Sequence, residues 1–203
     1  MTKNLLGSVH GSLVFDRRTR VLAEHLGGMI PPQAKVLDVG CGDGTIDALI
    51  LDRRPDIEIQ GVDVFVRPST KIKVEVFDGR RLPAADKSFD TVVFVDVLHH
   101  TEDPLVLLRE ANRVARKTIL IKDHTMDGLF AYSTLRFMDW VGNAPHGVVL
   151  PYNYWTARQW QSAFDQLGLK TERRVTALGL YPFPASMLFE RELHFIASIL
   201  PSR

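Results

Sequence analysis

Alternate glycines after a short apolar run are the feature of this sequence best suited to binding a ligand. Residues 36–44 read Val-Leu-Asp-Val-Gly-Cys-Gly-Asp-Gly, and residues 45–53 continue with apolar side chains at a helical spacing. The run 36–39 is typical of a buried parallel strand. Glycine has no Cβ, so a backbone rich in it can approach a ligand closely. Strand, glycine turn and helix together predict a nucleotide-binding corner.

The spacing of the glycines favours some nucleotides over others. A dinucleotide fingerprint has the form Gly-x-Gly-x-x-Gly, and this chain has Thr45 where the third glycine would stand. Its own pattern places glycines at 40, 42 and 44, with Asp38 two residues before the first. This departure argues against a nicotinamide-dependent oxidoreductase, which we keep as an alternative from another enzyme class.

Asp63 is a second candidate for binding the same ligand. It ends the predicted strand 58–64 and lies 23 positions after Gly40. A nucleotide-binding unit needs an acid at about this distance to accept hydrogen bonds from ribose hydroxyls. The alternative is that Asp63 only ends a strand, as acidic residues commonly do.

The rest of the chain alternates strand and helix patterns. We expect a helix from Phe15 that stops at Gly27-Gly28, with residues 1–12 lying loosely over the surface. Apolar runs predict five strands, at 35–40, 58–64, 73–77, 89–98 and 118–122.

Cap signals place the later helices. Asp103-Pro104 begins one helix, and Thr156 with Gln159 forms a capping box for another, which Gly168 ends. Two strands follow, at 170–178 and 193–199. The pattern predicts an α/β fold: a Rossmann-like, seven-stranded, mostly parallel sheet with helices on both faces and a C-terminal antiparallel strand pair.

Residues 125–155 interrupt this alternation after the fifth strand. They are dense in aromatic side chains, namely Phe130, Tyr132, Phe137, Trp140, Tyr152, Tyr154 and Trp155. A connection of this length that lacks a simple loop composition predicts a helical and aromatic insertion. We therefore expect one domain over residues 1–203, with 125–155 as a lid or substrate-binding insertion.

Composition argues against several other classes of protein. A chain of 203 residues suits one domain, and a formal net charge of +1 gives no electrostatic reason to expect a nucleic-acid partner. A single cysteine excludes an internal disulfide. Residues 1–6 lack the apolar segment of a secretory signal, and no uncharged apolar stretch reaches the roughly 18 residues of a membrane span. We expect a cytoplasmic protein.

Three motif regions, in this order and spacing, resemble those of the class I S-adenosylmethionine (SAM)-dependent methyltransferases. They are residues 38–44, Gly-Val-Asp at 61–63, and the segment 78–100, which begins at Asp78 and ends at His100. The likeness is to the small-molecule, type 11-like branch near the ubiquinone and menaquinone biosynthesis enzymes. One departure is Val-Ala-Arg-Lys at 114–117, where the family has a Leu-Lys-Pro-Gly-Gly turn, remote from the expected active edge.

The resemblance implies SAM as the cofactor and S-adenosylhomocysteine (SAH) as the product. Asp38 and the glycine turn would hold the methionine end, Asp63 the ribose hydroxyls and Asp78 the adenine amino group. The residues at the end of the fourth strand would line the site of the sulfonium. The candidate cofactor-binding residues are Asp38, Gly40, Cys41, Gly42, Gly44, Asp63, Val64, Asp78, Gly79, Val95 and Asp96.

Two histidines near strand ends are candidate catalytic residues. His124 leads from the fifth strand into the aromatic insertion, and an imidazole can accept a proton from a hydroxyl or amine. A histidine that only packs the lid is the alternative. His100 follows His99, and adjacent residues on an extended segment point in opposite directions, so we expect no shared metal. The resemblance implies a structural role for a histidine here.

The insertion supplies the candidate substrate-binding residues Tyr152, Tyr154 and Trp155. A small aromatic core beneath a lid is the alternative. The sequence therefore predicts a SAM-dependent methyltransferase acting on a small, apolar or aromatic molecule. A SAM-binding partner subunit without catalysis is the second alternative, because no single residue is obligatory for methyl transfer.

Overall fold

A computed structural model describes residues 2–143 and 151–202, whose backbone forms seven strands and six helices. The strands are β1 (Lys35–Val39), β2 (Glu58–Asp63), β3 (Val74–Val76), β4 (Phe89–Val95), β5 (Ala115–His124), β6 (Lys170–Val175) and β7 (His194–Leu200). The helices are α1 (Thr2–Gly27), α2 (Thr45–Leu51), α3 (Pro104–Val114), α4 (Ala131–Asn143), α5 (Ala157–Gln166) and α6 (Ser186–Phe189). A short 3₁₀ helix spans Leu98–His100.

The strands form one sheet in the order β3-β2-β1-β4-β5-β7-β6. The first five run parallel, and β7 pairs antiparallel with both β5 and β6. The predicted fold class is therefore confirmed. Parallel strands bring their carboxyl ends to a single edge, where ligands of open α/β sheets bind.

Apolar side chains cover both faces of the sheet, which is why the central strands read as apolar runs. On one face Val92 and Phe94 of β4 join a core with α3 and α5, in which Trp160 is fully buried. On the other face Val93 packs with Leu22 and Leu26 of α1. Two covered faces fix the strand register and so the position of each strand end.

Helix α1 is longer than the sequence predicts. It begins at Thr2 rather than near Phe15, so the prediction that residues 1–12 lie loosely on the surface is wrong for residues 2–12. Glycines at 7 and 11 suggested an irregular segment, yet a glycine inside a helix costs only about 1 kcal/mol and does not interrupt it. The stop at Gly27 is confirmed.

The boundaries of β4 and β5 also differ from the prediction. β4 ends at Val95 because Asp96 adopts a positive φ of 56°, which ends the extended conformation, and residues 98–100 turn into the 3₁₀ helix. β5 runs from Ala115 to His124, so Asp123 and His124 belong to the strand itself. The 3₁₀ helix also removes the premise that His99 and His100 lie on an extended segment.

The insertion after β5 contains α4 and has a small core of its own. Ala131, Leu135, Tyr154 and Leu193 are buried together there. The capping box at Thr156 is confirmed: its hydroxyl accepts from the Gln159 amide, and the Gln159 side chain accepts from the Thr156 amide. No helix among the described residues combines the length and apolar character needed to cross a membrane.

Candidate active site

The turn between β1 and α2 depends on glycine for its backbone conformation. Gly40, Gly42 and Gly44 have φ values of 75°, 62° and 74°, in the left-handed region that glycine adopts without strain. A Cβ at Gly44 would lie 2.5 Å from Ile72 Cγ1, while one at Gly42 would meet nothing closer than 3.6 Å. Gly42 is therefore where the turn leaves room beside its backbone.

Asp63, at the end of β2, is bonded to this turn. One carboxylate oxygen accepts the amide of Gly42 at 2.9 Å, and the other accepts the amide of Phe65 at 3.0 Å. The side chain is half-buried. Asp63 thus positions the glycine turn and also brings a carboxylate to the ligand edge.

Asp38 lies beneath the turn, close to the carboxyl group of Asp47 on α2. Asp38 is 3% exposed, and its Oδ1 has no hydrogen-bond partner among the described residues. Burial first, and then the neighbouring carboxylate, raise the pKa of Asp38 well above its usual range. Burial raises the pKa of Asp47 to about 6. Both carboxyl groups therefore hold a proton more readily than an exposed aspartate does, and a cation near the turn would favour their ionisation.

The other predicted cofactor residues on this side surround the ends of β2 and β3. Asp78 is exposed and accepts the amides of Arg80 and Arg81 at 2.8 and 2.7 Å, which lowers its pKa. Val64 is 62% exposed and would contact a Cβ placed on Gly79. Burial and Asp38 raise the pKa of the Cys41 thiol, which therefore stays uncharged.

Asp96 lies beyond β4, next to Val95, and forms a partly buried ion cluster. It pairs with Arg18 of α1 and with Lys122 of β5, whose side chain is fully buried. Burial alone would raise the pKa of Asp96, but the two cations outweigh burial and hold it well below its usual range. The carboxylate proposed to wall the sulfonium is therefore already paired with two cations.

A second buried chain of polar groups joins β5 to the insertion. His99 Nδ1 lies 2.6 Å from Asp123 Oδ1, and His99 Nε2 lies 3.4 Å from Asp139 Oδ2. The Tyr154 hydroxyl donates to the same Asp139 oxygen. Burial opposes a charge on His99, but Asp123 and Asp139 together raise its pKa to about 10. His99 is therefore an imidazolium between two carboxylates.

His124 lies beside both clusters. Its Nδ1 is 3.5 Å from Asp123 Oδ1 and 3.6 Å from Asp96 Oδ1, without a hydrogen bond to either. Burial and then Lys122 lower the pKa of His124, so its imidazole is neutral at pH 7. Burial and His99 lower the pKa of the half-buried His100 to about 4.

The structure separates the three aromatic residues expected to contact the substrate. The Tyr154 ring is buried, 6.0 Å from that of His124. Tyr152 lines a cavity of about 390 Å³ with five residues of α4, namely Tyr132, Ser133, Arg136, Phe137 and Trp140. Trp155 packs instead on Trp160 in the main core, with ring centroids 4.9 Å apart, and we leave it out of the proposed acceptor site.

Three residues of these clusters escaped the sequence reasoning: Arg18, Lys122 and Asp139. A lysine within the apolar run of β5 was the available signal, because a charge in a strand covered on both faces needs a buried partner. Arg18 gave no such signal among the other arginines of α1. A second cavity, of about 440 Å³, lies between α1 and residues 178–179 and contains none of the predicted site residues.

The sheet order and the glycine turn define the class of protein: an α/β nucleotide-binding fold with its ligand edge at the carboxyl ends of β1, β2 and β4. Residues 12–173 match the family model of the methyltransferase domain. The chain belongs to this family, the class I SAM-dependent methyltransferases.

Relatives within the family act on different substrates. The chain is 29% identical over 120 residues to 27-O-demethylrifamycin SV methyltransferase of Amycolatopsis mediterranei, which covers 52% of this chain and 44% of the relative. It is 28% identical over 87 residues to tRNA U34 carboxymethyltransferase of Nautilia profundicola. That match covers 37% of this chain and 28% of the relative. Both matches span less than half of the relative's length.

A solved structure resembles nearly the whole chain. It is a complex of the Haloferax volcanii Trm112 methyltransferase activator with a methyltransferase, matched with a TM-score of 0.69 and 18% identity. The match covers 92% of this chain and 91% of that one. At this identity the likeness shows the shared fold alone.

Proposed function

We propose that this chain transfers a methyl group from SAM to a small, apolar or aromatic molecule. The observation that carries the proposal is the position of His124. It ends β5, next to β4 and two strands from the glycine turn of β1. The Tyr154 ring lies nearby, and Nδ1 has no hydrogen-bond partner within the described part of the chain. An acceptor beside His124 would therefore lie along the same edge as the cofactor.

The cofactor would extend along the edge from β1 to β3. The glycine turn and the Asp38–Asp47 pair would hold the methionine end, Asp63 the ribose and Asp78 the adenine. Bound SAM supplies an activated methyl group on a sulfonium. The protein's contribution to such a displacement is mainly alignment of the reactants, which can lower a barrier by on the order of 7 to 11 kcal/mol.

His124 would accept the proton of a hydroxyl or amine acceptor as the new bond forms. Its neutral state at pH 7 and its burial suit this role, because a base must be unprotonated and shielded from water. The described parts of the insertion, residues 125–143 and 151–155, would cover the acceptor as a lid; the rest of the predicted insertion lies outside the described residues. The aromatic lining of the cavity between Tyr152 and α4 supports an apolar or aromatic acceptor.

A methyl-transfer screen tests the acceptor class. The protein with tritiated SAM would be offered fractionated small-molecule extracts and, separately, total RNA and DNA. Transfer to an organic-soluble small molecule is the expected result. Labelling of RNA alone would contradict the proposed acceptor while leaving the methyltransferase class intact.

Replacing Asp63 by alanine should weaken SAH binding by roughly 1.5 to 3 kcal/mol, because a carboxylate bound to two hydroxyls makes charge-assisted hydrogen bonds. Titration calorimetry measures the change. Asp52→Ala, which removes an exposed acid at the end of α2, is the control and should bind SAH normally. Because Asp63 also accepts the Gly42 amide, the melting temperature is compared as well. Unchanged SAH affinity in Asp63→Ala would show that the ribose is held elsewhere.

A further inference from the structure

His99, His100 and Asp139 bring three metal-ligating side chains together outside the proposed cofactor site. One ligand atom of each lies within 4.8 Å of the others. The two histidines belong to the 3₁₀ helix after β4, which places their ring centroids 4.0 Å apart, and Asp139 comes from α4. On an extended chain the side chains of these two neighbouring histidines would point apart. The bend after Val95 brings them together.

One pair of atoms in this cluster has the spacing of two metal ligands. His99 Nε2 and His100 Nδ1 are both buried, and neither has a hydrogen-bond partner among the residues that the structure describes. His99 Nε2 lies 3.4 Å from Asp139 Oδ2, a contact too long to be a good hydrogen bond. Two ligand atoms bound at about 2.0 to 2.2 Å to a tetrahedral ion stand about 3.3 to 3.6 Å apart. The gap between these two atoms therefore fits one such ion.

The surroundings of the cluster also match a metal site. His99, which is 2% exposed, has its other ring nitrogen 2.6 Å from Asp123 Oδ1. A metal-bound histidine almost always has such a carboxylate or carbonyl partner, which fixes the orientation of its ring. The Tyr154 hydroxyl donates to Asp139 and orients that carboxylate in turn.

We propose that His99, His100 and Asp139 bind one divalent first-row metal ion such as Zn²⁺. Two imidazoles and one carboxylate suit zinc and its neighbours better than magnesium or calcium. The ion takes the place of the proton on His99 Nε2, which is released on binding. An alternative set, Asp96, His99 and His124, fits less well, because the cationic side chains of Arg18 and Lys122, which lie against Asp96, would repel a metal ion there.

Such an ion would join the insertion to the sheet edge, since Asp139 lies on α4 and the histidines follow β4. Three protein ligands also leave a coordination position for water or an acceptor oxygen. Coordination of an acceptor oxygen by the ion rests on the proposed function. Binding of the metal does not rest on it, and the test of metal binding needs neither SAM nor an acceptor.

The test titrates the EDTA-treated chain of residues 1–203 with Zn²⁺ by calorimetry and with Co²⁺ by visible absorption. We expect one ion per chain and an intense tetrahedral-type Co²⁺ spectrum. His100→Ala and Asp139→Asn should weaken binding by roughly 100-fold or more, and Tyr154→Phe by roughly 10- to 100-fold. His25→Ala removes a histidine bonded to the Leu178 carbonyl, outside the cluster, and should bind like the unaltered chain.

Circular dichroism confirms that each variant is folded before titration. Absence of stoichiometric binding to the unaltered chain would overturn the proposal whatever the variants do. Binding that persists unchanged in both His100→Ala and Asp139→Asn would overturn it too, and the cluster would then be an ion pair alone.

Discussion

A chain carrying His124→Ala is expected to transfer methyl groups roughly 10²- to 10⁴-fold more slowly than the unaltered chain, once an acceptor is in hand. This is the usual contribution of a positioned general base. His124 is buried at the end of β5, and its Nδ1 makes no hydrogen bond within the described residues. The affinity for SAH should stay nearly unchanged, because none of the proposed cofactor contacts involves the imidazole.

The pH dependence of the rate gives an independent readout. Burial and Lys122 lower the pKa of His124 below its usual 6.5. Because only the neutral imidazole can accept a proton, the rate should be level above pH 7 and fall at lower pH as His124 becomes protonated. His124→Gln keeps a polar side chain without a base and should be as slow as His124→Ala. Full turnover in either variant would show that His124 is not a general base. Catalysis would then come from alignment of SAM and the acceptor alone.

Replacing His99 by leucine is expected to lower the free energy of unfolding by about 3 to 5 kcal/mol, measured by urea denaturation in EDTA. Removing one member of a buried ion pair leaves its partners as uncompensated buried charges. Here Asp123 and Asp139 would both lose the imidazolium that separates them. His99→Asn retains a side-chain donor near the Nδ1 position but no charge, and should be less destabilised.

The matched control for the stability experiment is His25→Leu, which removes a single hydrogen bond to the Leu178 carbonyl. It should cost about 1 kcal/mol. A His99→Leu variant no less stable than this control would contradict the account of the cluster. It would show that the two carboxylates find other partners or take up protons at little cost.

Local signals in the sequence predicted the fold and the conformation of the glycine turn. The glycine spacing at 40, 42 and 44 indicates a backbone conformation, and the capping box at Thr156 indicates the start of a helix. Each of these signals lies within a few neighbouring residues. The parallel direction of the first five strands follows from the alternation of strands and helices, because parallel strands need crossover connections. Such features can be interpreted one segment at a time.

The acceptor side could not be predicted in the same way, because its partners are distant in sequence. Arg18 and Asp96 are 78 positions apart, and His99 and Asp123 are 24 apart. The pairing of His99 with His100 required the bend after Val95, which an apolar strand pattern does not indicate. Buried ion networks of this kind are determined by packing between elements rather than by the pattern within one.

The central claim is that the edge formed by β1, β2 and β3 binds SAM. Titration calorimetry of the purified chain with SAM, SAH and NAD tests it most directly. The account predicts micromolar binding of SAM and SAH, no heat from NAD, and weaker SAH binding in Asp63→Ala. Tight binding of NAD without binding of SAH would contradict it.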